Sequence, residues 1–291
     1  MENSQSNNHP MHHQTQPTSI ELSKNSIMAS LNNQQNMIIL QEKIKNPANK
    51  EIVSSLVEEL KGEYRNLIND KNGNYFCTDL FKTCKQKERI LILEELSPII
   101  SEDCAKNYAT HPIQTLIELS KCIIEYNLIL SSFEDKNKLI YAATNPNGAY
   151  AIQKISKRIP SSFRVEFNNL FIPFISLFSK QQYGIVSVKQ FISNTRNEET
   201  RKKVLDIVKT NFMNLAVDKY GNYLIQFLLE IWNNFPEGNE IKDLILRNFK
   251  ELMKSKYSYF ICLHFLNMFT IGININKNRE ENINNNFQNQ Q

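Results

Sequence analysis

A short local pattern returns at a nearly constant interval along this chain. Four of its seven glycines share one context: Gly73-Asn74-Tyr75, Gly148-Ala149-Tyr150, Gly184-Ile185-Val186 and Gly221-Asn222-Tyr223. With the residue after the glycine as anchor, the series extends to Met37, Asn74, Thr110, Ala149, Ile185, Asn222 and Tyr259, spaced by 37, 36, 39, 36, 37 and 37 residues. The residue before each anchor is small or turn-prone: Asn36, Gly73, Ala109, Gly148, Gly184, Gly221 or Ser258. The third and fourth members of the pattern are mostly apolar, and the fifth is Gln41, Thr78, Gln114, Gln153, Lys189, Gln226 or Leu263. A fixed period of this length implies an array of similar units, each too small to bury its own apolar face and each completed by its neighbours.

The units read as helices. Val204, Leu205, Ile207 and Val208 recur at helical spacing, as do Leu224, Ile225, Leu228, Leu229 and Trp232 after the anchor Asn222. Pro112 falls in the first turn of its helix, where a missing N–H costs little. No strand-type alternation is present. The expected fold is therefore all-α, a solenoid of about seven repeats over residues 19–271. Residues 1–18 are rich in Asn, Gln and His, and 272–291 in Asn and Gln. Neither segment can offset its ordering entropy by burial, and disorder is expected for both.

Several function classes are disfavoured. No run of about 18 apolar residues exists to cross a membrane. No GxSxG, HExxH, Walker-type loop or kinase set is present, so neither catalysis nor a cofactor is expected. The pairs Glu58-Glu59 and Glu94-Glu95 are adjacent in sequence and read as surface. His9, His12 and His13 fall in the low-complexity N-terminus, and no metal site is expected from them. The five cysteines are odd in number and widely spaced, which suits small core residues in a reduced, cytoplasmic setting. A net charge of +4 is compatible with nucleic acid without pointing to it.

On a helix advancing about 100° per residue, positions one, two and five of the pattern share one face, while three and four turn away from it. That face presents Asn222, Tyr223 and Gln226 in one repeat and Asn74, Tyr75 and Thr78 in another. Ala149, Tyr150 and Gln153 follow in a third, and Thr110, His111 and Gln114 in a fourth. Flat rings at regular intervals can stack on unpaired bases, at roughly 1–3 kcal/mol per base. An amide offers a donor and an acceptor side by side, which matches the edge of a base such as uracil.

The run Asp218-Lys219-Tyr220-Gly221-Asn222-Tyr223-Leu224-Ile225-Gln226 closely resembles the Pumilio (PUF) repeat. So do Asn72 to Cys77, Asn147 to Lys154 and His111 to Glu118, while Gln41-Glu42-Lys43 resembles the opening repeat of that family. The resemblance implies a right-handed crescent of three-helix repeats whose concave face takes single-stranded RNA, one base per repeat. The first and fifth positions would meet the base edge and the second would stack. Asn222 and Gln226 then look like a uracil reader with Tyr223 stacking, and Asn74 and Tyr75 like another with Thr78 where Gln is usual. Gln41 and Lys189 would lie on the same face in repeats that lack a full reading set. Tyr259, Phe260 and Leu263 stand where the family usually carries a guanine reader. The resemblance further implies binding to mRNA 3′ untranslated regions and repression or decay through protein co-repressors, for which the convex face is one candidate surface. A monomer is expected.

Ile38, Val186, Phe260 and Leu263 read as packing residues, His264 as structural, and Thr200-Arg201-Lys202-Lys203 as a solvated helix start. The glycines read as relaxing the backbone ahead of the anchor helix. Two alternatives share the period: a HEAT- or armadillo-like protein scaffold, and a degenerate relative acting on ribosomal RNA.

Overall fold

The computed structural model describes residues 23–268; the expected tails and the three N-terminal histidines lie outside the described residues. Every regular element among the described residues is a helix. Repeat 1 holds Lys24–Leu31 and Gln34–Lys45, and repeat 2 holds Lys50–Glu59, Tyr64–Asn69 and Gly73–Thr83. Repeat 3 holds Gln86–Leu96, Ile100–Asp103 and Thr110–Leu119; repeat 4 holds Ile123–Ser131, Lys136–Thr144 and Pro146–Arg158. Repeat 5 holds Arg164–Phe171, Ile175–Ser179 and Gly184–Ser193; repeat 6 holds Glu198–Thr210, Phe212–Ala216 and Asn222–Ile231. Repeat 7 holds Pro236–Leu252 and a helix over 259–268. Repeats 2 to 6 thus have a leading, a connecting and an anchor helix, and the two end repeats show two helices each.

The first six anchor helices pack one upon the next from Gln34–Lys45 to Asn222–Ile231 and form a continuous layer. The apolar third and fourth positions drive this. Phe76, Cys77, Ile113, Ala151, Ile152, Val188, Leu224, Ile225, Ile261 and Cys262 are all fully enclosed. The leading helices form the second layer, those of repeats 3 and 4 and of repeats 6 and 7 meeting side by side. In repeat 5 the space between layers is filled by rings: Phe171 lies 4.8 Å from Phe191 and 5.0 Å from Phe178, centroid to centroid.

The glycines before the anchors are structural for a reason other than backbone freedom, because none of the four has a positive φ. Each lies against the connecting helix. A Cβ on Gly73 would sit 2.5 Å from the Leu67 carbonyl oxygen, and one on Gly221 would sit 2.6 Å from that of Leu215. In repeat 7 the corresponding Ser258 hydroxyl donates to the Leu252 carbonyl at 2.6 Å, turning the same close approach into a bond.

Cys77, Cys84, Cys104 and Cys262 are buried free thiols, as expected of core residues, and Cys122 is half-buried. Burial, the dominant cause, pushes the Cys84 and Cys104 thiols up to about 12.

Candidate nucleic-acid interface

The entry into the anchor helices of repeats 1, 2, 4 and 6 is set by an Asx turn at Asn33, Asp70, Asn145 and Asp218. Asp218 Oδ1 accepts from the N–H groups of Tyr220 and Gly221, both at 2.8 Å. Asp70 does the same for Asn72 and Gly73, and Asn145 for Asn147 and Gly148. An Asp or Asn four residues before the anchor is the sequence signal for this turn. The residue two before the anchor then reaches back to the preceding repeat. Asn72 donates to the Leu31 carbonyl, Asn147 to that of Ala105, and the Tyr220 hydroxyl to Gln182 Oε1.

This geometry puts the second-position side chains in the open. Tyr75 is 62% exposed, Tyr150 59% and Tyr223 49%, and His111 and Phe260 are exposed as well. Ile38 and Val186 occupy the same positions, and these two, like Phe260 and the fifth-position Leu263, are exposed rather than packed as expected of them. Phe260 lies against Tyr259 at 5.9 Å between centroids.

The first position is different. Asn74, Thr110, Ala149 and Asn222 are buried, with Asn222 only 2% exposed. A helical wheel places this position beside the second, but it sits at the helix start, where the Asx loop folds over it. Asn222 Nδ2 donates to the carbonyls of Asp218 and Lys219, both at 2.9 Å. Asn74 Nδ2 makes the same pair of bonds to Asp70 and Lys71. Asn222 Oδ1 in turn accepts from Gln226 Nε2 at 2.8 Å. The fifth position therefore carries the more accessible of the two amides of repeat 6. Gln226 keeps its Oε1 and one N–H, an acceptor beside a donor, and Asn222 holds it in place.

The other fifth positions are held differently. Gln114 Nε2 donates to Thr110 Oγ1 at 2.8 Å, and Gln153 Nε2 to the Ala149 carbonyl at 3.0 Å. The Thr78 hydroxyl turns back and donates to the Asn74 carbonyl at 2.8 Å. Gln41 is tied across the repeat junction to Asp79 Oδ2 at 2.9 Å. Lys189 lies over the rings of Tyr223 and Phe227, 5.7 and 5.3 Å from their centroids. The face is thus half-exposed rings alternating with part-buried amides that are already oriented.

Beside these positions runs a row of inter-repeat ion pairs that sequence reasoning missed. Lys45 meets Asp79 at 2.8 Å and Glu118 meets Lys154 at 2.9 Å, and in the last junction the His264 ring takes the same place beside the Glu230 carboxylate, at 3.2 Å. Each joins the ninth position of one anchor helix to the sixth of the next. Opposite charges 34 to 36 residues apart were the available signal. The pair with Glu230 also gives His264 the structural place expected of it.

The Pumilio-family RNA binding repeat profile matches residues 64–97 and 211–234, the segments that contain Gly73-Asn74-Tyr75 and Gly221-Asn222-Tyr223. Suppressor protein MPT5 of Saccharomyces cerevisiae is 28% identical over 204 residues, covering 66% of this chain and 23% of its own length. Pumilio homolog 12 of Arabidopsis thaliana is 22% identical over 214 residues, covering 71% and 34% respectively. The chain thus spans about a quarter to a third of the length of these curated relatives. Among solved structures, the RNA-binding domain of yeast Puf5p bound to MFA2 RNA superposes with a TM-score of 0.72 at 21% identity, over 82% of this chain and 66% of that one. The Puf4 RNA binding domain, bound to a 3′ UTR recognition sequence of HO endonuclease RNA, superposes with a TM-score of 0.73 at 19% identity, over 80% and 72%. These likenesses show the fold.

Proposed function

We propose that this chain, a member of the Pumilio repeat family, binds single-stranded RNA along the face of its anchor helices and selects it by sequence. The observation that carries this is the row of exposed second-position rings, Tyr75, His111, Tyr150, Tyr223 and Phe260, beside part-buried amides held by their own helices in repeats 3, 4 and 6. A scaffold that only stacked helices would have no use for Tyr75, Tyr150 and Tyr223 in solvent. Aromatic faces accept any base, and a preoriented amide discriminates between them. In repeat 6, Gln226 offers its acceptor and donor to the N3–H and an adjacent carbonyl of uracil.

The ligand best supported is a uracil-containing segment of an mRNA 3′ untranslated region. The chain then acts in post-transcriptional regulation in the cytoplasm, through partners and without chemistry of its own. No helix among the described residues is long and apolar enough to cross a membrane.

Selection from a random single-stranded RNA pool tests this. The expected result is enrichment of uracil-containing sequences, and a shift of one position from uracil toward guanine when Asn222→Ser is combined with Gln226→Glu. A pool that shows no enrichment favours a protein scaffold. Enrichment that the double variant leaves unchanged removes Gln226 from the reading set.

A further inference from the structure

From repeat 3 to repeat 7, the start of the leading helix carries two adjacent residues placed at the junctions between repeats. They are Glu88 and Arg89, Glu125 and Tyr126, Phe163 and Arg164, Thr200 and Arg201, and Glu237 and Gly238. In each junction the second residue of one pair faces the first residue of the next. Arg89 Nε donates to Glu125 Oε1 at 2.8 Å, with both side chains enclosed. Tyr126 and Phe163 fill the same slot with rings whose centroids lie 5.9 Å apart. Arg201 Nε stands 3.3 Å from Glu237 Oε1, again in the interior. These contacts also correct the reading of Thr200 to Lys203 as a solvated run. Thr200 and Arg201 are buried, and only Lys202 and Lys203 reach solvent, paired with Glu198 and Glu199.

The junction of repeats 5 and 6 breaks the series. Arg164 anchors its loop as the other two arginines do. Its Nη1 donates to the Ser156 carbonyl at 2.8 Å and its Nη2 to that of Ile159 at 3.0 Å. Arg89 and Arg201 make the equivalent bonds to Cys84 and Arg196. In the place of Glu125 and Glu237, however, stands Thr200, whose hydroxyl is taken by Asn168 Nδ2 at 3.1 Å. No carboxylate among the described residues pairs with Arg164, and burial alone lowers its pKa.

What occupies the slot is a cavity of about 540 Å³, lined by Arg164, Asn168 and Thr200 and rimmed by Lys157, Arg196 and Lys203. Its one carboxylate, Glu199, is paired with Lys203 at 2.8 Å. Asn168 is 8% exposed, and its Oδ1 has no partner. If the amide is turned over, the Thr200 hydroxyl donates to Oδ1 and the N–H pair of Asn168 faces the cavity instead. The leading helix Glu198–Thr210 begins at this wall and adds the positive end of its dipole.

We infer that this cavity docks an acidic peptide segment of a partner protein, one carboxylate of which takes on Arg164 the place that Glu125 and Glu237 hold in the sister junctions. The volume lies within the range of ligand pockets and far exceeds one carboxylate, so neighbouring peptide groups enter with it. Side-chain amides and hydroxyls of Ser161, Asn169, Asn194 and Asn197 line the wall and suit a peptide backbone. No aromatic ring lines it, so a nucleobase would find no stacking surface. Lys157 and Arg196 are exposed and available for flanking acidic residues.

The test is the fluorescence anisotropy of a labelled oligo-glutamate peptide titrated with the full chain, against oligo-glutamine of the same length. The expected result is binding of the first alone, weakening as salt is raised. Thr200→Glu supplies the missing carboxylate from within the chain and should weaken peptide binding by about tenfold or more without lowering Tm. Lys157→Glu combined with Arg196→Glu, both on the exposed rim, should do the same. Lys50→Glu with Lys61→Glu, an equal change of charge in repeat 2, should leave binding unchanged. Equal binding of both peptides, or oligo-glutamate binding indifferent to the cavity variants, overturns the inference. So does displacement of the peptide by a uridine oligonucleotide, which would make the cavity a seat for RNA phosphate. The RNA reading and this one can fail separately, because Thr200→Glu leaves the anchor-helix face untouched.

Discussion

Repeats 5 and 6 are neighbours built on one plan, yet they present opposite faces. Both begin the anchor helix at a buried glycine, Gly184 or Gly221, pressed on the connecting helix. Both bury the third and fourth positions completely, Ser187 and Val188 in one and Leu224 and Ile225 in the other. They part at positions one, two and five. Repeat 6 offers Tyr223 and an amide, Gln226, held by Asn222; repeat 5 offers Val186 and a lysine leaning over its neighbour's rings. Helix packing therefore does not require a ring and an amide at these positions. The positions that stack the solenoid and those that face solvent are separate sets, so one can change without the other.

That separation makes the glycines the strongest test of what the two repeats share. Gly221→Ala and Gly184→Ala both place a methyl group against a backbone carbonyl that cannot step aside. Each should cost stability toward the upper end of about 1–3 kcal/mol, read as a shift in the urea midpoint. Equal losses confirm a common scaffold. Tolerance of alanine at Gly184 alone would mean that repeat 5 has relaxed its packing as well as its face.

The second-position side chains test what the repeats do not share. Tyr223→Ala should lower affinity for a uridine-containing oligonucleotide by about 1–2 kcal/mol and leave the urea midpoint nearly unchanged, since half of the ring is in solvent. Val186→Ala should have a much smaller effect on affinity, because a branched aliphatic group has no π-face to offer. Equal effects in titration calorimetry would show that this row excludes water rather than stacking bases.

The same contrast explains how much was legible in the sequence. Period, helix class and the buried third and fourth positions follow from hydrophobic spacing, which is a local property. The exposure of Tyr75, Tyr150 and Tyr223 followed from the same wheel. The burial of Asn74 and Asn222 did not, because it depends on an Asx loop folding back over the first turn. On sequence grounds the glycines read as backbone freedom, while the structure uses the missing side chain for contact with a helix six residues upstream. The slots between leading helices were invisible for a further reason. Arg164 and Thr200 are 36 residues apart, and neither is unusual until it is set beside Arg89 with Glu125 and Arg201 with Glu237.

Lys189 gives the smallest expected effect and sharpens the comparison most finely, because it is the side chain that joins the two repeats across the face. Expected on sequence grounds to meet RNA, it lies over the rings of Tyr223 and Phe227. A partly exposed cation over an aromatic face contributes about 0.5–1 kcal/mol. Lys189→Ala should therefore loosen Tyr223 and weaken oligonucleotide binding by a few tenths of a kcal/mol, a change of less than about threefold. A residue that only supports a ring leaves the salt dependence of binding alone, whereas one that neutralises a phosphate contributes about one unit to its slope. An unchanged slope in Lys189→Ala keeps Lys189 as a brace for repeat 6. A slope reduced by about one unit assigns it to the RNA backbone, and gives repeat 5 a part in binding that its Ile185 and Val186 do not supply.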